Sequence, residues 1–125
     1  MATQAKLYLV RIFYGDYAHG PSGPLTDHIF SLVKRMRLAG ATVLKDRRNY
    51  DMFGKPAVER LLGGNSGSHP VIVEVPVLGN KLDAFIARLK ELVMAGKSNA
   101  FYITHEAEAI IGNPDIIENS LAMRE

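Results

Sequence analysis

The chain has no cysteine among its 125 residues. That excludes disulfides, thiolate nucleophiles and cysteine-built metal sites. It also has no apolar run approaching the roughly 20 residues that a membrane helix needs. Residues Met1 to Lys6 lead straight into a strand-forming stretch that contains Arg11, so no signal peptide is expected. The expectation is a soluble, cytoplasmic protein. An excess of charge of one sign is missing too. A net charge of +2 is too small for a protein that coats nucleic acid, and no nucleic-acid partner is expected.

Recognisable catalytic spacing is absent as well. His19, His28, His69 and His105 are scattered, without metal-ligand spacing. Asp46, Asp51, Glu59 and Glu74 show no paired spacing that singles out a general acid and base. No nucleophile-elbow sequence occurs. Ala95-Gly96-Lys97-Ser98 resembles the end of a phosphate-binding P-loop. That motif, however, needs a glycine five residues before Gly96, where Glu91 stands, and a helix after it rather than before. Two readings remain for this turn. One is a helix C-cap followed by a turn; the other has Gly96 and backbone amides beside Lys97 approaching a phosphate. The pattern points to binding rather than catalysis.

What is present is ordinary globular material. A hydrophobic fraction of 47% and a charged fraction of 22% in a chain of this length predict one domain with one core. Residues 6–14 (KLYLVRIFY) read as a strand. Leu7, Leu9, Arg11 and Phe13 share one face, and Tyr8, Val10, Ile12 and Tyr14 share the other. A strand that is apolar on both faces predicts a central position, with helices on one side and a second sheet or subunit on the other. Pro24 is expected in the first turn of a helix that runs to about Ala39 and buries Leu25, Ile29, Leu32, Val33 and Met36. Gly40 is its expected stop. A second strand is predicted from Ala41 and a third from Pro70 to Leu78, with Pro76 marking an edge or a bulge. A second helix runs from Gly79-Asn80 to Ala95 and ends at Gly96; its apolar face holds Leu82, Phe85, Ile86, Leu89, Leu92 and Val93. A fourth strand covers Ala100 to His105. This order, strand-helix-strand-strand-helix-strand, predicts an α+β, ferredoxin-like βαββαβ domain: an antiparallel four-stranded sheet with two helices on one face. The domain is assigned to residues 1–105 and a C-terminal extension to 106–125.

The connection between the second and third strands is far longer than a hairpin needs. It holds Lys45, Arg47, Arg48, Tyr50, Phe53, Lys55 and Arg60, then Gly63-Gly64-Asn65-Ser66-Gly67. It reads as a mobile, cationic recognition loop over about 45–70. Lys45, Arg47 and Arg48 are either a solvated loop base or a set of cations that pair with phosphate oxygens. Tyr50 and Phe53 suit anchors for a partner.

The element order with this long loop resembles the PII-like signalling proteins, small trimeric regulators with a T-loop at this position. Gly40-Ala41-Thr42-Val43-Leu44-Lys45 is similar to their Gly-x-Thr-Val entry to the second strand. Gly23-Pro24-Leu25 and His69-Pro70-Val71-Ile72-Val73-Glu74-Val75 resemble an uncharacterised PII-like subgroup. The resemblance implies a homotrimer, with an adenine nucleotide (ATP, ADP or AMP) or a related small anion bound between subunits. It also implies a protein target, such as a membrane transporter, engaged by the loop. It assigns the base to Thr42 and phosphate contacts to Gly96 and Lys97, beside the cations Lys45, Arg47 and Arg48. Phe53-Gly54-Lys55, with Tyr50, falls to the partner-binding loop. Asp46-Arg47-Arg48-Asn49 stands where the family has glycine, and Phe53-Gly54 is displaced by several residues. No catalytic and no metal residue is assigned. Two alternatives stand beside this reading. One is a metal-responsive trimer resembling the CutA type and using His19, His69 or His105; the other is a small enzyme with an inter-subunit active site.

Overall fold

The computed structural model describes residues 6–45 and 70–108. They form β1 (Leu7–Gly15), α1 (Leu25–Arg35), β2 (Thr42–Leu44), β3 (Pro70–Leu78), α2 (Gly79–Ala95) and β4 (Ala100–Ala107). All strand pairs are antiparallel, and the sheet order is β2-β3-β1-β4. The ferredoxin-like expectation holds. No helix among the described residues is long and apolar enough to cross a membrane.

Side-chain alternation sorts the sheet into two faces. On the helix-covered face Val10, Ile12 and Tyr14 stand opposite Val75, Val73 and Val71, and all six are at most 1% exposed. Leu25, Ile29, Leu32 and Val33 of α1 and Phe85 and Leu89 of α2 close over them. Burying each such side chain stabilises the fold by roughly 1.5–3 kcal/mol. One ladder hydrogen bond is worth about 0.5–1.5 kcal/mol net, so Pro76 costs β3 little. Its position also limits the cost. β2 begins at Thr42, opposite Glu74, so beside Pro76 the outer flank of β3 is a local edge.

Three boundaries differ from expectation. Pro24 is the N-cap of α1 rather than part of its first turn, and α1 ends at Arg35, before Ala39 and Gly40. The stop is supplied by Arg37, which adopts a left-handed φ of 57°. Leu38 N–H donates to Val33 O at 3.0 Å and Arg37 N–H to Lys34 O at 3.1 Å, which is the Schellman arrangement. Lys81 Nζ also donates to Met36 O at 2.9 Å, placing a cation on the negative helix end. Finally, β4 runs past His105, because Glu106 and Ala107 still find Tyr8 and Leu7 across the ladder.

Candidate functional site

One end of the sheet gathers the predicted ligand-binding segments. β1 finishes there at Gly15, opposite Pro70, where β3 begins. β4 starts there at Ala100, opposite Tyr14. β2 leaves towards the same end after Leu44, opposite Ile72, and Lys45 follows it, exposed. The 16–24 loop and the α2–β4 turn therefore meet at this end, and the 45–70 segment starts and finishes there.

The α2–β4 turn has a defined construction. Gly96 is the C-cap of α2 with an ordinary helical φ of −85°. The left-handed residue is Lys97, with φ 54°. Lys97 N–H donates to Met94 O at 3.1 Å and Ser98 N–H to Val93 O at 3.2 Å, a second Schellman motif. Glycine at position 96 is thus required by packing rather than by φ. A Cβ there would come within 2.5 Å of the His19 carbonyl carbon and 2.8 Å of Gly20 O, and closer still to His19 O. Ser98 fastens the contact: its Oγ accepts from His19 N–H at 2.8 Å and donates to His19 O at 3.0 Å. The turn and the 16–24 loop are clasped together through backbone atoms. The amides of Gly96, Lys97 and Ser98 are all engaged within α2's C-terminus. Contrary to the amide reading of this turn, none of the three is left for a phosphate.

The same loop is tied down at its other end. Leu25 N–H donates to Ala18 O at 3.0 Å, and Tyr14 Oη shares a hydrogen bond with Thr26 Oγ1. Burial pushes the Tyr14 phenol up to about 12, with nearby Asp27 adding to the rise and the Thr26 bond opposing it.

The predicted residues are not all brought together within one chain. Thr42 is exposed on the β2 edge, while Gly96 and Lys97 lead into β4 at the other edge. Three strand spacings separate those edges, about 14 Å. Arg47, Arg48, Tyr50, Phe53, Gly54, Lys55 and His69 lie outside the described residues. His105 pairs with Leu9, six residues back along β1 from Gly15 and about 20 Å from the His19 end. Among the described residues no three histidine, aspartate or glutamate side chains gather as a metal site.

Sequence reasoning assigned no role to two further features. A cleft of about 360 Å³ lies between α2 and β4, lined by Ile12, Leu89, Val93, Phe101 and Tyr102, with Lys90 and Met94 at its wall. On the helix-free face, Arg11 Nε lies 3.1 Å from Glu74 Oε2. The signal for that pair was in the sequence, as charges interrupting two apolar strands, but linking them requires the β1–β3 register.

The fold and the clasped turn define the class: an α+β protein with the PII-like, ferredoxin-like architecture. Residues 7–106 match DUF190, a PII-like family described as "Uncharacterized ACR", and the chain belongs to that family. Among solved structures it resembles that of CPII from Thiomonas intermedia K12, described as bound to ADP, AMP and acetate. That likeness has a TM-score of 0.55 at 12% sequence identity and covers 88% of this chain and 92% of the other. No curated protein matches the sequence significantly.

Proposed function

We propose that the protein is a non-enzymatic, PII-like regulator. It binds an adenine nucleotide or related phosphate-bearing anion between neighbouring copies of a homotrimer, and it signals to a protein target through residues 45–70. The observation that carries this reading is the split of the binding residues between the two sheet edges. Thr42 and Lys97 belong to opposite edges of one chain, so a base contact at the first and a phosphate contact at the second come together only when edges of two copies adjoin. Membership of a PII-like family and the likeness to a nucleotide-bound fold support it. At the α2–β4 turn the phosphate contact falls to the Lys97 side chain, because the neighbouring amides are engaged.

Calorimetry with ADP, AMP and inorganic phosphate, run beside light scattering, tests the proposal. Lys97→Ala and Arg47→Ala should each weaken the nucleotide more than tenfold, since a charge-assisted hydrogen bond is worth about 1.5–3 kcal/mol. Thr42→Val should weaken the nucleotide and leave inorganic phosphate nearly unchanged. Unchanged nucleotide affinity in all three variants overturns the site. A concentration-independent monomer overturns the inter-subunit cleft.

A further inference from the structure

The helix-free face of the sheet carries one ion pair in a setting that surface pairs do not have. Arg11 and Glu74 stand directly opposite each other on β1 and β3, the two central strands, and their side chains are 37% and 25% exposed. Around them on the same face are Leu9, Phe13, Ile72, Pro76 and Ile103, all buried or half-buried. The guanidinium is under-used. Nε is buried and close to Glu74 without hydrogen-bond geometry, and among the described residues it has no other acceptor. A guanidinium has five N–H donors in a rigid fork, and a carboxylate has room for several. This face therefore presents unsatisfied donors and acceptors side by side, framed by apolar groups.

Frame and pair together specify what fits. An apolar partner without charges would strand both ions, which is costly. A partner with one charge would leave the other unpaired. A second copy of this chain supplies an apolar face with one cation beside one anion. Rotation about an axis through the face brings each cation against the next anion. Three copies close a ring of six alternating charges with no net charge and no end.

We propose that copies of this chain pack through the helix-free sheet face, with the open N–H donors of Arg11 bonding Glu74 of the neighbouring copy. The pair then sets the rotation between copies and so the alignment of the edges that carry Thr42 and Lys97. This deepens the trimer reading above and rests on it.

Charge reversal in separate chains isolates contacts between copies. Arg11→Glu carries two acids on the face and Glu74→Arg two bases, so neither chain can form the pair within itself or with its own kind. By sedimentation velocity each alone should be unassembled, with native far-ultraviolet circular dichroism, and an equimolar mixture should assemble. Arg11→Lys keeps the charge but not the fork, and should raise the concentration at half-assembly at least tenfold with the fold intact. That variant carries the test if the reversals fail to fold. Wild-type assembly matched by Arg11→Glu, a mixture that stays unassembled, or an unchanged Arg11→Lys midpoint overturns this inference alone and leaves the nucleotide proposal standing. So does acetate raising the melting temperature of unassembled wild type but not of Arg11→Glu, which would make a small carboxylate the occupant. A wild type monomeric at every concentration overturns both proposals.

Discussion

Gly96→Ala sets two physical effects against each other, and their magnitudes decide the outcome. Position 96 has a helical φ of −85° at the end of α2. On backbone propensity alone, alanine is better there by about 0.5–1 kcal/mol. The packing argument has the opposite sign. The new Cβ would come within 2.5 Å of the His19 carbonyl carbon and 2.8 Å of Gly20 O, where carbon–oxygen contacts are ordinarily about 3.3 Å or more. The obstructing atoms are backbone and cannot rotate aside. Relief requires the turn and the 16–24 loop to separate by about 1 Å, which breaks the two Ser98–His19 hydrogen bonds at 2.8 and 3.0 Å. Losing them costs about 1–3 kcal/mol, and residual overpacking adds about 1–3 kcal/mol. The net expectation is a destabilisation of about 2–4 kcal/mol, read as a lower urea midpoint at constant m-value. Ser98→Ala removes the bonds without the clash and should cost less, about 1–2 kcal/mol. An alanine variant at position 96 as stable as the wild type, or more stable, would refute the close-approach argument and leave propensity in charge of this position.

Arg37 and Lys97 occupy left-handed C′ positions, with φ of 57° and 54°, that most proteins give to glycine. Arg37→Gly, remote from the proposed ligand contacts, should raise stability by about 0.5–1 kcal/mol in denaturant titration. A decrease would mean that the side chain contributes more than its backbone strain costs. Tyr14 gives a pH signature. Its folded pKa is about 12 against 10.0 unfolded, so the neutral phenol is favoured by the fold. The contribution, about 2–3 kcal/mol, is complete below pH 10 and lost as pH rises through 12. Tyr14→Phe should flatten the difference in stability between pH 9 and 12 relative to wild type, and parallel pH profiles would contradict the assignment.

Local pattern alone was enough to read much of this protein. Two-residue alternation in KLYLVRIFY assigned Val10, Ile12 and Tyr14 to one face and Arg11 and Phe13 to the other. Helical spacing outlined α2 from Gly79 to Ala95, and short motifs such as Gly-Ala-Thr-Val at 40–43 pointed to the PII-like class. These features depend on neighbours within a few residues, which a single sequence displays. The tertiary structure decided the rest. Gly96 is glycine because His19 and Gly20, more than seventy positions earlier, press against it. α1 stops at Arg35 because Arg37 takes the left-handed turn, and local pattern had assigned that stop to Gly40. Pairing Arg11 with Glu74, and separating Thr42 from Lys97, follow from strand order and register. Those are settled when distant segments are packed against a common core, and chain-local periodicity carries no record of which segments will meet.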